Sequence, residues 1–413
     1  MENYSVILFI LAAMLILSAL SDRIKIPYPV LLIIAGICVG FIPSIPQIDL
    51  DPEIIFLIFL PPLLYDSAFN ISFSTLVTHK NTVGTLAVWL VFITAIGIAC
   101  IAHYLIPGMT WPLAFVLGSI LSATDAVAAT SVTKGLGLSH HTTTILEGES
   151  LINDASALVA YRFAIAAVAG SAFVFWKASL EFLLLMAGGV VIGMTMGKLL
   201  SFILQRVRKD PMITISFTLL MPFITYLLAE ELHVSGVIAV VVLGIGISRF
   251  SRQIFPERIK DQSKSIWDII IFMLNGLIFI LMGLEFPYVL KNIAAADVLP
   301  YIGYAFLITI GTLALRTARV FFQKVSLQRA FDGKRPRISK EALLDFENSL
   351  IISWAGMRGI VSLAVALALP RTLTAGQPFP MRDDIIFISV AVVLFTLIGQ
   401  GLTLPLLVRR FKG

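Results

Sequence analysis

The stretch GSILSATDAVAATSVTK, residues 118–134, places a carboxylate in the middle of an apolar segment. Asp125 stands near its centre beside Thr124, and small and hydroxyl residues surround both. An ionisable side chain at mid-membrane costs at least about 2.5–3.5 kcal/mol, so such a residue indicates a functional or structural role. Small and hydroxyl residues let helices approach closely and replace backbone hydrogen bonds that a break leaves open. We therefore predict an interrupted transmembrane helix that faces a polar cavity. The alternative is a buried aspartate satisfied by its hydroxyl neighbours.

A second stretch, NSLIISWAGMRGIVSLAVALALP at residues 348–370, repeats this feature with the opposite charge. Gly356 and Gly359 bracket Arg358 at the middle of the run. Two glycines weaken a helix, and an arginine stays charged wherever it is placed. We therefore predict a second interrupted helix, in which the arginine requires a carboxylate partner.

The composition assigns the whole chain to the membrane. Of its 413 residues, 58% are hydrophobic and 13% are charged, against about 25% charged in a typical soluble domain. Helices that are apolar on all sides need lipid or a very large core. Cys38 and Cys100 both sit in apolar runs, which excludes a disulfide scaffold. The net charge of +5 comes from short loops between spans, so it does not indicate nucleic-acid binding.

About thirteen apolar runs approach the roughly 20 helical residues that cross a bilayer. They lie near residues 3–20, 28–42, 52–68, 82–106, 112–133, 144–169, 179–204, 211–229, 234–248, 266–286, 298–322, 347–369 and 383–408. Met1 leads directly into the first run, so we expect a first span and not a removable signal peptide. The interrupted runs are the fifth and the twelfth. An odd separation gives them opposite directions, which is typical of an inverted-repeat transporter with a midplane site.

The basic residues indicate the orientation of the spans. Of the 30 lysines and arginines, 21 fall in odd-numbered loops or the C-terminal tail, and four fall in even-numbered loops. Positive charge marks the cytoplasmic side of a membrane protein. The distribution predicts that the N-terminus is outside and the C-terminus is cytoplasmic.

The sixth run, TTTILEGESLINDASALVAYRF at residues 142–163, brings several polar residues into the membrane. Ser150 and Asp154 are four residues apart and share a helix face, as do Glu149 and Asn153. Glu149 and Asp154 are about 140° apart around the helix, so they point at different partners. We predict that Ser150 and Asp154 line one cavity, and that Glu149 pairs elsewhere, with the arginine of the twelfth run as the candidate.

Other charges near the ends of spans are less specific. Asp66 follows Pro61 and Pro62 at the cytoplasmic end of the third run. It is either an interfacial acid or part of an ion route, and the sequence leaves both open. Three basic residues near cytoplasmic ends are predicted to extend to the membrane surface: Lys198, Arg316 and Arg319.

Three motifs together resemble the monovalent cation:proton antiporter superfamily, in its NhaP-like sodium/hydrogen exchanger branch. They are SATDAVAA, EGESLINDASAL and GMRGIVSLAVALALP. The resemblance implies an NhaA-like antiporter fold, all-α and polytopic, with inverted repeats and two crossed, interrupted helices. It also implies a core domain near 82–169 and 298–408, a dimerisation domain near 3–68 and 211–286, and a linking helix near 179–204.

The resemblance also implies a role for each polar residue of the motifs. Asp154 would bind sodium and protons alternately, with Asn153 beside it. Three residues would complete the sodium site: Asp125, Ser150 and the backbone of Thr124. No cofactor is expected, and lithium or potassium could replace sodium. The protein would be a homodimer in the plasma membrane that serves sodium transport and pH homeostasis.

Two further roles follow from the same resemblance. Glu149 and Arg358 would form an ion pair that holds the core domain together. Asp66 falls, by a looser match, where relatives carry an acid on the cytoplasmic ion route.

The Asn153–Asp154 pair bears on stoichiometry. The electrogenic branch of the superfamily carries two adjacent aspartates and a lysine in the tenth span, whereas residues 266–286 contain no lysine. One titrating carboxylate that faces one cation favours electroneutral exchange of one sodium for one proton. Sodium prefers oxygen ligands, and it competes with protons for the same carboxylate.

Two other classes of protein remain as alternatives. A cation channel would need a continuous pore and a selectivity ring, and the inverted interrupted spans argue against it. An intramembrane aspartyl protease could use Asp125 and Asp154 as a catalytic pair, but it would leave Glu149 and Arg358 without a role.

Overall fold

A computed structural model describes residues 11–20, 28–42, 52–71, 80–133, 138–170, 175–207, 210–333, 343–373 and 376–412. Within these ranges the regular structure is helical apart from one bridge between Thr372 and Pro378, which confirms the predicted all-α class. In chain order the elements are α1 Leu11–Leu20, α2 Tyr28–Gly40, α3 Pro52–Asn70, α4 80–105, α5a Trp111–Ser122, α5b Ala126–Val132, α6 His140–Val168, α7 Phe175–Val207, α8 Pro211–Glu231, α9 Gly236–Ile254, α10 Glu257–Asn292, α11 Ala295–Asp332, α12a Phe346–Trp354, α12b Ile360–Leu367 and α13 382–412.

Wherever the structure describes them, the apolar runs of the sequence lie on a helix or on a helix broken in two. Over the described ranges, eight helical segments are long and apolar enough to cross a membrane, and shorter apolar helices accompany them. The prediction of a multi-pass membrane protein is confirmed. The number of helices that cross the bilayer, about thirteen by sequence, stays a prediction.

Both predicted interruptions are present. Helix α5a ends at Ser122 and α5b begins at Ala126, while α12a ends at Trp354 and α12b begins at Ile360. The backbone is extended at Ala123, with φ −65° and ψ 143°. Each break exposes backbone N–H and C=O groups that helical hydrogen bonding would otherwise satisfy, so other groups must bind them.

The described helices divide into two compact units. Unit 1 holds α1, α2, α4 to α6, the part of α10 from Asn275 onward, and α11 to α13. Unit 2 holds α3, α7 to α9, and the part of α10 up to Leu274. The expected division into core and dimerisation domains is one of function, and it stays a prediction.

Within unit 2, α9 packs against α3, α7 and α8. Its contact with α7 depends on a small residue, because a Cβ added at Gly193 would lie 2.7 Å from Val242 Cβ. Small residues at helix crossings let backbones approach closely in a membrane.

Within unit 1, α6 is surrounded by α4, α5a, α5b and α12a. The polar residues of α6 are therefore enclosed by other helices. Glu149, Asn153 and Asp154 are all buried. This packing brings the acidic stretch of α6 against both broken helices.

Candidate functional site

The two broken helices meet at Asp125. Its backbone N–H donates to the Met357 carbonyl at 2.8 Å, and its Oδ2 accepts a hydrogen bond from the Ile360 N–H at 3.2 Å. Its Oδ1 accepts a hydrogen bond from the Ala128 N–H at 3.0 Å. One carboxylate thus caps the first turn of both α5b and α12b, where negative charge is favoured by the exposed N–H groups. The predicted crossing of the interrupted helices is confirmed.

The close approach at this crossing leaves no room for a side chain at position 359. A Cβ added to Gly359 would overlap the Asp125 carboxylate and would lie 2.6 Å from Asp125 Cβ. Glycine is therefore required here because it has no side chain, and not by a positive φ, since φ at this position is −152°.

We expect Gly359→Ala to lower the stability of the purified protein by about 1–3 kcal/mol, because overpacking forces neighbouring groups apart. The matched control is Gly246→Ala on α9, where nothing lies within 4 Å of the added Cβ. Thermal unfolding in detergent would measure both variants. Equal unfolding temperatures for the two would contradict the close approach.

Helix α6 satisfies the break in α5 with its own side chains. The Ser150 hydroxyl donates to the Thr124 carbonyl at 2.9 Å and accepts a hydrogen bond from the Ala126 N–H at 3.4 Å. Asn153 Nδ2 donates to Thr124 Oγ1 at 2.5 Å. The buried Asn153 Oδ1 has no hydrogen-bond partner in the described part of the chain. The structure therefore joins three predicted site residues, Ser150, Thr124 and Asn153, in one network, which ends in the unused carbonyl oxygen of Asn153.

Asp154 follows Asn153 on α6 and, among the described residues, lacks the hydrogen-bond partners that the other acids of the site have. Its side chain is 9% exposed, and over the described residues no hydrogen bond or ion pair reaches its carboxylate. Asp125 and Glu149 lie close enough to act on it electrostatically. Burying an unpaired carboxylate beside two other acids is costly, and a proton or a cation at Asp154 would lower that cost.

Glu149 has a partner that the sequence did not predict. Arg316 Nη2 donates to Glu149 Oε2 at 2.9 Å, and Nη1 donates to Oε1. Arg316 Nε donates to the Ile352 carbonyl at 3.0 Å, and its side chain is 2% exposed. The predictions that Arg316 extends to the membrane surface and that Glu149 pairs with Arg358 are therefore wrong.

The length of α11 explains this error. The helix continues to Asp332, whereas the apolar run ends near residue 322, so Arg316 lies deeper in the helix than its distance from that end suggests. The buried face of α11 includes Thr312, Arg316 and Gln323 at helical spacing. Thr312 and Gln323 share this buried face with Arg316. Their spacing along the sequence is the signal that could have indicated an inward-pointing arginine.

Arg358 occupies the break in α12 without an ion pair to Glu149. Its backbone N–H donates to Thr396 Oγ1 at 3.1 Å, and its Nη1 donates to the Gly356 carbonyl at 2.8 Å. The buried Nε has no partner in the described part of the chain. Arg358 nevertheless lines the same small cavity as Glu149, Asn153 and Arg316. Its hydrogen bond to Gly356 places positive charge just beyond the end of α12a, where helix carbonyls are exposed.

A protein-family model described as "Sodium/hydrogen exchanger, transmembrane" matches residues 9–410. The chain belongs to the sodium/hydrogen exchanger family. This confirms the resemblance carried by the three motifs. Members of this family are transporters and not enzymes, which is the class that the sequence predicts. The channel and protease alternatives find no support.

Two relatives and one solved structure are similar to this chain. The sodium, potassium, lithium and rubidium/H⁺ antiporter of Bacillus pumilus is 36% identical over 92% of this chain, and the match covers 58% of that protein. The Na⁺/H⁺ antiporter ApNhaP of Aphanothece halophytica is 32% identical over 99% of this chain and 74% of that protein. The chain thus spans less than two thirds of the Bacillus relative. The sodium proton antiporter MjNhaP1 from Methanocaldococcus jannaschii superposes over 100% of both chains with a TM-score of 0.72 at 20% identity, which shows a shared fold.

Asp66 is the predicted site residue that lies in unit 2. It stands on α3 and accepts a hydrogen bond from Asn70 Nδ2 at 2.9 Å. It lines a pocket in unit 2. Its place on an ion route stays a prediction.

Proposed function

We propose that this exchanger moves Na⁺ and H⁺ in opposite directions across the plasma membrane, with Asp154 as the carboxylate that holds either ion. The observation that carries the proposal is the contrast among three acids. Arg316 neutralises Glu149, and two half-helices donate to Asp125. Asp154 is buried without a hydrogen bond or ion pair to any described residue, so it is the acid that is free to exchange its ligand.

The neighbouring groups suit a hard cation. Sodium prefers oxygen ligands, and the proposed ligand set supplies them from side chains and one backbone carbonyl: Asp154, Asp125, Ser150 and Thr124. The unused Oδ1 of Asn153 adds another oxygen at the same break. A proton on Asp154 removes its charge and weakens cation binding. This competition, with access that alternates between the two sides, is sufficient for antiport.

The remaining parts of the proposal rest on the sequence and the resemblance. The N-terminus would be outside and the C-terminus cytoplasmic, as the basic loops indicate. Asp66 would lie on the cytoplasmic ion route. The working unit would be a homodimer formed through residues 3–68 and 211–286. Lithium and potassium would be tested beside sodium, since the name of the Bacillus pumilus relative includes all three ions.

Exchange in proteoliposomes tests the proposal directly. Purified protein is reconstituted with a pH probe inside, and a gradient of sodium, lithium or potassium chloride is imposed. An outward cation gradient should acidify the lumen in a saturable manner, and protein-free liposomes should not respond. Cation flux without proton movement would overturn the antiporter assignment.

We expect the exchange to be electroneutral, because one carboxylate that binds either Na⁺ or H⁺ moves equal charge in both directions. Each uncompensated charge would add about 2.3 kcal/mol per 100 mV of membrane potential. A potassium–valinomycin potential should therefore leave the equilibrium ion gradients of the proteoliposomes unchanged. An equilibrium that shifts with voltage would show unequal charges and would point to Asp125 as a second proton carrier.

A further inference from the structure

Unit 2 contains a cavity of about 190 Å³ between α3, α9 and the first part of α10. Its buried lining residues, called the inner wall here, include the aromatic rings of Tyr65 and Trp267 and the hydroxyl groups of Tyr65, Ser248 and Ser263. The two rings lie 5.0 Å apart between centroids. The cavity is thus a preformed pocket with an apolar floor.

The most informative group in this wall is the Tyr65 hydroxyl. Tyr65 is 1% exposed, and its hydroxyl oxygen has no hydrogen-bond partner in the described part of the chain. Leaving a buried polar group unsatisfied costs about 1–3 kcal/mol. A ligand that accepts a hydrogen bond from Tyr65 would remove this cost.

Two more hydroxyls in the wall are available as donors. Ser248 and Ser263 are both buried and line the cavity. Within the described ranges neither side chain forms a hydrogen bond. The inner wall therefore offers several neutral O–H donors and no buried carboxylate.

The rim adds positive charge. Arg252 is held in place by a hydrogen bond of 3.0 Å from its Nη2 to the Ile71 carbonyl, which leaves its other N–H groups for a ligand. Lys264 lines the cavity without a hydrogen bond or ion pair to any described residue. A third cation, Lys260, is paired with Glu257 at 2.9 Å.

The rim also carries two acids. Asp66 accepts a hydrogen bond from Asn70, and Asp268 is exposed.

We propose that this pocket binds the phosphate group of an anionic ligand, with Tyr65, Arg252 and Lys264 as donors. Phosphate oxygens accept several short, charge-assisted hydrogen bonds, and guanidinium and ammonium groups bind them well. Basic pockets between transmembrane helices at a membrane surface bind lipid head groups. The exposed apolar side chains of Ile266 and Ile269 on α10 could lie along the acyl chains of such a lipid.

The test uses the full chain, purified in detergent and stripped of lipid. Thermal unfolding is followed while phosphatidylglycerol, phosphatidylcholine or inorganic phosphate is added. We expect phosphatidylglycerol to raise the unfolding temperature at concentrations at least tenfold lower than phosphatidylcholine, whose choline cancels the phosphate charge. Stabilisation by inorganic phosphate alone would identify a free phosphate as the ligand. Equal effects of the two lipids, or no stabilisation by any of the three, would overturn the proposal.

Substitutions locate the effect in the pocket. Arg252→Gln and Lys264→Gln should each raise the half-saturating concentration about tenfold, and Tyr65→Phe about fivefold, as expected for a lost charged or neutral hydrogen bond. Arg258→Gln removes the same charge from α10 outside the cavity and is the matched control. An equal loss of binding in Arg258→Gln would indicate nonspecific attraction and would overturn the assignment. Lys264 is exposed and forms no hydrogen bond or ion pair with a described residue, so Lys264→Gln should fold normally. Its binding data therefore decide the test if the other variants fold poorly.

Discussion

Replacement of Asp154 by asparagine is expected to abolish exchange while the protein still inserts and folds. Asparagine has nearly the same size, but it neither titrates nor carries the charge that holds a cation. The fold should tolerate the change, because over the described residues the Asp154 carboxylate forms no hydrogen bond that the substitution would break. Sodium-driven proton flux in proteoliposomes should fall to the level of protein-free vesicles.

The matched control for this substitution is Glu147→Gln. Glu147 lies on the same helix and is exposed, so the same change of acid to amide should leave exchange largely intact. Size-exclusion profiles and thermal unfolding would confirm that both variants fold. Robust sodium-driven proton flux in Asp154→Asn would rule out Asp154 as the carrier.

The second large effect concerns stability. Glu149→Ala or Arg316→Ala is expected to destabilise the protein by roughly 3–5 kcal/mol, because either change leaves one member of a buried ion pair without its partner. The double variant should lose less than the sum of the two, since it removes both charges together. Thermal or chemical unfolding in detergent of the four proteins in the cycle gives the coupling energy.

A second double-mutant cycle, made of Glu149→Ala and Arg358→Ala, provides the control. Glu149 and Arg358 line one cavity but form no ion pair. Their coupling energy should therefore be clearly smaller than that of Glu149 with Arg316. A larger coupling with Arg358 would show that the pairing expected from the motifs is correct and that Arg316 is secondary.

The sequence predicts the two broken helices because their cause is local. Asp125 among hydroxyl residues, and Arg358 between two glycines, mark positions where a continuous apolar helix is unfavourable. The direction of the two helices follows from their separation by an odd number of spans. The crossing of the two broken helices is therefore largely encoded in features that can be counted along the chain.

The partner of Glu149 could not be found in that way. It depends on which helix packs against α6 and on how far α11 extends beyond its apolar run. Arg358 and Arg316 are both buried arginines within reach of the same cavity, and only the three-dimensional packing separates them. Likewise, the double role of Asp125 as a cap depends on Ile360, which lies 235 residues away in the chain.

The shared cap has a consequence for how the transporter moves. Because Asp125 holds the first turns of α5b and α12b together, a motion that slides one broken helix past the other has to break hydrogen bonds at the candidate site itself. On the proposed mechanism, helices so joined would travel as one body, and the site would keep its shape while its access changes. A cation bound at Asp125, as proposed, would withdraw electron density from both caps at once. Both broken helices would then respond to the same ion together, which would disfavour a half-switched state that leaks in both directions.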